Sequence, residues 1–327
     1  MKFLKQQWTR LRSQDSFFAI LLSLVFFVIL MVGSPYFFMR NNLLSLQTVI
    51  APRAIIAIGM MLLVTMGMFD LSVGSVMGVS GILCAYLLSI GIPAPLSVLA
   101  AISLGMLVGF INGALVAWGK IIPLIATIGT MYIFRGLAEM IMTSNLAMSL
   151  RGFPQAFLDF GSKTVLGMYS MTWIMLFLLI LVQYLLKRTY LGRSLYYIGG
   201  NPASARSLGF RVNTATIAAF IASGGFSALA GVLSIARYES ASRYLGQDIQ
   251  MDILIACIIG GGSLLGGKGD MTGALAGTIF ISLLQNAFNL FEINTLLKSV
   301  VIGGILVLVV IMDGYMHLKK MRALGRL

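Results

Sequence analysis

The sequence predicts an all-α, polytopic membrane bundle of about ten spans with both termini cytoplasmic. Three observations carry that expectation: a composition unfit for a water-facing surface, apolar runs recurring at spanning length, and basic residues confined to a few segments. Of the 327 residues 59% are hydrophobic and 10% charged, against about 25% charged in a soluble domain. Apolar runs of roughly 20 residues are long enough to cross a hydrocarbon core of about 30 Å. In that solvent every backbone amide needs an internal partner, which leaves helices or a closed barrel. Barrel strands alternate apolar and polar side chains, whereas runs such as Phe17 to Val32 and Ser299 to Met312 are apolar on all sides.

The predicted spans are 16–38, 43–66, 73–90, 95–118, 121–143, 169–187, 213–236, 251–266, 271–291 and 295–313. Phe17 to Val32, preceded by a basic stretch, resembles a signal peptide, but the rest of the chain is equally hydrophobic and a retained first span is expected. The net charge is +13, and its placement speaks against nucleic acid. Lys2, Lys5, Arg10 and Arg12 precede the first span. Lys187, Arg188, Arg193, Arg206 and Arg211 fill the loop 187–212, and Lys319, Lys320, Arg322 and Arg326 lie in the tail 314–327. Lys and Arg collect in cytoplasmic segments, so 1–15, 187–212 and 314–327 are read as cytoplasmic. The loops 144–168 and 237–250 then fall outside, and their charges are mixed: Arg151, Asp159 and Lys163; Arg237, Glu239, Arg243 and Asp248.

The chain reads as one transmembrane domain, 1–327. Its longest non-spanning stretches, about 25 residues, are too short to bury a core of their own. Gly-rich apolar segments recur at 67–81 and 259–277, a weak internal likeness of the kind that marks a central site in transporters. Cys84 and Cys257 have no metal or disulfide spacing, and His317 stands alone. No metal or cofactor is expected.

Four segments carry chemistry. In Phe69-Asp70-Leu71-Ser72-Val73-Gly74-Ser75 a carboxylate sits in apolar sequence, where it is expensive and either satisfied by neighbours or functional. Asp70 or Ser72 is placed to cap a following half-helix, beside the solute path or simply at a membrane boundary. Asn112 and the run Lys120 to Thr130, with Thr127 and Thr130, combine small residues that permit close helix approach with hydroxyls that bond across or along helices. Arg135 and Glu139, four apart, share a helix face and read as a structural ion pair near the membrane edge. In the loop 187–212, Asn201 is a good N-cap and Pro202 suits the first helical position. A short helix over 203–208 follows, closed by Gly209, and reads as a docking element for a partner or as a connector.

Gly260 to Asp270 almost spells a phosphate loop. The Ser or Thr that should follow Lys268 is Gly269, and the strand-to-helix context is missing. ATP binding there is rejected, and the glycines read as a tight re-entrant turn or close helix crossing.

Together these segments resemble the permease family of ribose-type carbohydrate ABC importers, over about 45–313. The resemblance rests on Asp70 to Ser75, on Ile125 to Thr130 with Arg135-Gly136, on Gly192-Arg193 with Gly199-Gly200-Asn201, and on Gly260 to Gly269 with Asn286. Departures are Met68-Phe69-Asp70 for the family's Gly-Ile-Asp, and Gln250-Met251-Asp252, which keeps the last residue of its acidic-Leu-Asp. Residues 152–160 resemble the outer loop of permeases for autoinducer-2, a sugar-like signal.

The resemblance implies a bacterial inner-membrane subunit that breaks no covalent bond. It implies a second permease chain, identical or homologous, a cytoplasmic ATPase, and a periplasmic or lipoprotein solute-binding protein. The ATPase would dock on 190–212, with Gly192, Arg193, Gly200, Asn201, Ala203, Ala205, Leu208 and Gly209 as the coupling residues. Phe69, Asp70, Ser72, Asn112, Thr127, Thr130, Asn286 and Asn289 are the candidate pathway residues. The rivals are an ion-coupled secondary transporter, for which Asp70 and Asp252 are the available carboxylates, an intramembrane enzyme, for which a nucleophile and base are missing, and a branched-chain amino-acid permease of the same fold.

Overall fold

The structure, a computed structural model, describes residues 16–144, 149–150 and 152–323. The predicted N-terminal segment 1–15, Arg151 and Arg326 lie outside the described residues, as do the side chains of His317, Lys319, Lys320 and Arg322. The helices are α1 (Phe17–Gly33), α2 (Arg40–Thr65), α3 (Val73–Ser89), α4 (Ala94–Ala117), α5 (Pro123–Ser144) and α6 (Gln155–Ser162), followed by α7 (Ser170–Arg188), α8 (Tyr190–Gly200), α9 (Pro202–Ser207), α10 (Val212–Tyr238), α11 (Ile249–Ile259), α12 (Met271–Leu290) and α13 (Thr295–Ala323). Two short ladders lie between them. β1 (Ser149–Leu150) pairs antiparallel with β4 (Ala241–Ser242), and β2 (Thr164–Val165) with β3 (Met168–Tyr169).

Among the described residues α2, α4, α5, α7, α10 and α12 are long and apolar enough to cross a membrane. The other four predicted spans fall on shorter apolar stretches in α1, α3, α11 and α13. One boundary is overturned. The expected span 251–266 is an 11-residue helix, α11, about 16 Å long at about 1.5 Å per residue. It stops because Gly260 to Gly269 takes over, with positive φ at Gly261, Gly266, Gly267 and Gly269. At the other end α13 does not stop at 313 but runs on to Ala323, through much of the predicted tail.

Lipid gives apolar helices no hydrophobic reason to associate, so close packing and internal hydrogen bonds must hold the bundle. α10 is the hub, packing on α4, α2 and α3, while α12 packs on α1, α2 and α11. Gly105, Gly109 and Gly113, four apart and so on one face of α4, lie directly on the α10 backbone from Ile217 to Ala228. The mixed-charge segment before α7 includes α6, which rests on α10, and β1 of the β1–β4 ladder.

The chain enters the bundle from both ends. After α2 closes at Thr65, residues 66–72 turn back, and Asp70 meets Ser223 of α10. Ser223 stands eleven residues from the start of α10 and fifteen from its end, so about 16 Å and 22 Å of helix flank it at about 1.5 Å per residue. α3 therefore begins at mid-depth. From the opposite side, residues 243–248 descend along α3 until Gly246 touches Gly74. Gly246 has φ +72°, and a Cβ there would lie 2.2 Å from the Gly74 carbonyl oxygen, so a glycine is needed for both conformation and space.

Candidate functional site

Three sites hold the residues singled out from sequence. The first is the break before α3. Asp70, buried, accepts from the Ser72 amide (2.9 Å) and the Ser72 hydroxyl through Oδ1, and from the Ser223 hydroxyl (3.2 Å) through Oδ2. Asn112 Nδ2 donates to Ser72 Oγ (2.9 Å), and Thr130 Oγ1 donates to Asn112 Oδ1 (2.8 Å). Four predicted pathway residues, Asp70, Ser72, Asn112 and Thr130, thus form one chain of hydrogen bonds joining α3, α4, α5 and α10.

Each of these four is buried, and together they form a satisfied clamp. Of the two capping candidates, Ser72 occupies the N-cap of α3 without a side-chain cap bond, while Asp70 accepts from the Ser72 amide two residues on, just ahead of the helix. The remaining pathway candidates scatter. Thr127 turns its hydroxyl back to the Pro123 carbonyl (2.8 Å). Phe69 is half-buried beside the clamp. Asn286 pairs with Asn42 of α2 (2.7 Å), and Asn289 is exposed near the end of α12. Helical position in a small-residue span had grouped them with Asp70; the packing of α12 on α1 and α2 separates them.

A second polar place went unrecognised in the sequence. Arg135 lies twelve residues into α5 and nine from its end, about 18 Å and 14 Å from the helix ends, so it sits near the middle of that helix. Its guanidinium donates to three backbone carbonyls of the descending loop, through Nη1 to Arg243 (3.3 Å) and Leu245 (3.1 Å), and through Nη2 to Gly246 (3.0 Å). Glu139 and Asp248 are near enough to attract it. Beside it opens a cavity of about 470 Å³, lined among others by Tyr132, Arg135, Glu139, Gln247, Asp248 and Gln250. The i,i+4 spacing pointed to Glu139 as the partner of Arg135. Its carbonyl partners lie more than a hundred residues away, beyond the reach of local pattern.

Asp252, the other carboxylate noted in the sequence, is buried in a third polar contact. Arg53 of α2 approaches its Oδ2 at 3.5 Å and Gln285 of α12 donates to the same oxygen at 2.6 Å. Gly260 to Asp270 forms tight turns, and Asp270 caps α12 by accepting from the Gly273 amide (2.6 Å). Cys84 and Cys257 are buried and free.

At the end reached by α2 and α10 lies the segment 190–212. α9 has the anticipated caps. Asn201 Oδ1 accepts from Ala203 and Ser204 amides, and Gly209 adopts φ +85° while the Phe210 and Gly209 amides donate to Ala205 and Arg206 carbonyls. That is the Schellman pattern. α8 was not anticipated. Tyr190 and Tyr197 each stack on Phe210 with centroids 5.2 Å apart, folding α9 against α8.

Of the coupling residues, Arg193, Gly200, Asn201, Ala203, Leu208 and Gly209 are exposed. Gly192 and Ala205 are buried and serve the fold of this segment. Gly199 packs so closely on the end of α2 that a Cβ would lie 2.0 Å from the Thr65 carbonyl oxygen. The same oxygen accepts from the Gly267 amide (2.8 Å), and Tyr196 OH donates to the Gly269 carbonyl (2.6 Å).

A bundle of apolar helices with polar groups satisfied at mid-depth and chain breaks beside them is the build of a multi-pass membrane transport subunit. The chain belongs to the family described as branched-chain amino acid transport system / permease component, whose model matches residues 42–310. It is 35% identical over 311 residues to the ribose import permease protein RbsC of Haemophilus influenzae, covering 94% of this chain and 95% of the relative. To RbsC of Escherichia coli K12 it is 33% identical over 315 residues, 95% and 96% of the two chains. To the autoinducer 2 import system permease protein LsrC of Salmonella paratyphi B it is 33% identical over 272 residues, 83% and 78%. No solved structure matches.

Proposed function

We propose that the chain is the permease subunit of an ATP-driven bacterial importer, translocating a monosaccharide or similar small polar solute across the inner membrane by alternating access. In this reading all ten apolar segments belong to the membrane domain and both termini are cytoplasmic. Two permease chains, identical or homologous, enclose the path. A separate ATPase docks on 190–212, and a solute-binding protein delivers to the outer loops.

The observation that carries the reading is the α8–α9 element. It is basic and helix-capped, and it presents Tyr190, Leu191, Tyr197 and Leu208 to the surface, Leu208 at 67% exposure. Apolar side chains gathered on a water-facing element mark a protein contact. The energy source is the differential affinity of ATP for one state of the assembly, delivered through this contact. The carbohydrate reading is supported by the two ribose relatives; autoinducer-2 is the second reading, favoured by the Salmonella relative and by residues 152–160, which fold into α6.

Ala205 is a poor probe of docking because it is 1% exposed. Leu208→Asp or Ala203→Asp in the importer reassembled with its ATPase and binding protein should abolish solute-stimulated ATP hydrolysis and uptake while the permease keeps its melting temperature. Normal stimulated turnover in both variants would refute the docking assignment, and uptake by the permease without any ATPase would favour ion coupling. Competition of labelled D-ribose uptake by autoinducer-2 separates the two solute readings.

A further inference from the structure

The cavity between α5 and the descending loop does not behave as a lipid-facing surface. Glu139, Gln247 and Asp248 are exposed, and Tyr132 and Tyr244 are 70% and 60% exposed. Ionisable side chains within a membrane-spanning bundle are costly unless they face protein or a water-filled space. The loop is held at mid-depth by Arg135, so the cavity floor lies well inside the bundle. By contrast, the cavity lined by Leu62, Val182, Leu195, Ala219 and Phe226 carries no comparable polar wall and suits lipid.

The lining has a definite chemistry. Among the described lining residues Arg135 and Arg243 contribute two positive charges, Glu139 and Asp248 two negative ones, and the sum is zero. A net-neutral wall favours a neutral ligand over an anion such as a sugar phosphate. Gln247 and Gln250 each offer both donors and acceptors, and the carboxylates accept only, a mixture suited to hydroxyl groups, which both donate and accept. Tyr132 and Tyr244 offer exposed aromatic rings against which the C–H face of a sugar ring can rest, with the Arg243 guanidinium over one face of Tyr244 at 5.1 Å. The volume of about 470 Å³ falls within the range of about 300–1,000 Å³ of small-molecule pockets.

We infer that this cavity is a hydrated station on the translocation path that binds a neutral polyhydroxylated solute through Gln247, Asp248, Gln250 and the two tyrosines. Arg135 acts as a positioning residue, holding the loop that carries three of these groups. The inference rests on the carbohydrate reading above, and it adds a place and a set of contacts.

The test uses the importer reassembled in liposomes with its ATPase and binding protein, with D-ribose as probe. Cys84 and Cys257 are both 0% exposed, so an introduced cysteine can be read against a silent background. Gln247→Cys should react with a charged, membrane-impermeant thiol reagent, and D-ribose, but not L-leucine, should slow that reaction. Gln247→Ala and Tyr132→Ala should each raise the KM for D-ribose uptake about tenfold, the loss of roughly one good contact, while ATP hydrolysis stays coupled.

No reaction of Gln247→Cys in a folded, ATP-coupled importer would overturn the station as a water-filled site. Reaction without protection, together with an unchanged KM in both alanine variants, would overturn it as a binding site. Failure of the unmodified importer to take up D-ribose would overturn the carbohydrate reading, and with it the polyol assignment. The reactivity of Gln247→Cys would still decide by itself whether the cavity is hydrated.

Discussion

Two polar sites at mid-depth answer the same physical problem in opposite ways. Around Asp70, short side chains from α3, α4, α5 and α10 close on one another until every one is buried. Around Arg135, long charged and amide side chains from α5 and the loop 243–250 leave a cavity. The first spends its polar atoms on the protein and fixes the helix break; the second lines a cavity with several polar side chains. Polarity inside a membrane protein therefore does not by itself indicate the solute path.

The comparison can be broken most severely at the closed sites. Arg53→Met should cost about 3–5 kcal/mol, since it strands the buried Asp252 carboxylate, read as loss of folded protein in detergent melting. The double variant Arg53→Met/Asp252→Leu should recover most of that loss; additive damage would show the pair is not coupled. Asp70→Leu leaves the Ser72 amide and two hydroxyls without their acceptor, at about 1–3 kcal/mol for each buried group left unpaired, and uptake should fall with the melting temperature.

The open site should respond differently. Arg135→Ala frees the loop from three carbonyl contacts and should nearly abolish uptake while lowering the melting temperature by only a few degrees, because the exposed wall can rehydrate. A collapse as deep as that of Asp70→Leu would make the two sites alike.

The smallest effect belongs outside the bundle. Asp159 pairs with Lys163 at 2.7 Å. The Lys163 ammonium, aided by the Gln155 amide, holds its carboxyl below the usual carboxylate range. A depressed carboxylate contributes stability above its unfolded pKa and loses it as pH falls through the folded value. This pair lies at the surface, with Lys163 largely in solvent, so Lys163→Ala should leave melting and uptake nearly unchanged at neutral pH and in mild acid.

What was legible in the sequence was what local chemistry decides. Ten apolar segments, the caps at Asn201 and Gly209, and the near-miss phosphate loop all depend on residues within a few positions of one another. The hydrogen-bonded clamp was half legible: Asp70, Ser72, Asn112 and Thr130 stood out as polar residues in apolar runs, but their closure on Ser223 depends on how α10 packs. The loop that meets Gly74 and the partners of Arg135 were not legible, because each is settled by contacts between segments roughly a hundred or more residues apart; the short α11 ends at a glycine run that was visible but was read as part of the span. That Asn286 and Asn289 lie apart from the Asp70 cluster, Asn286 pairing with Asn42, was not legible either.

The contact of Gly199 with Thr65 has a mechanical meaning. Main chain rests on main chain there, with no layer of rotatable side chains to absorb a displacement, and Gly267 bonds the same carbonyl oxygen from its other flank. Five residues further on, Asp70 grips α10. A nudge of a fraction of an ångström on the outermost helices would thus arrive at the bundle's centre almost undiminished, as through a stiff rod and not a spring.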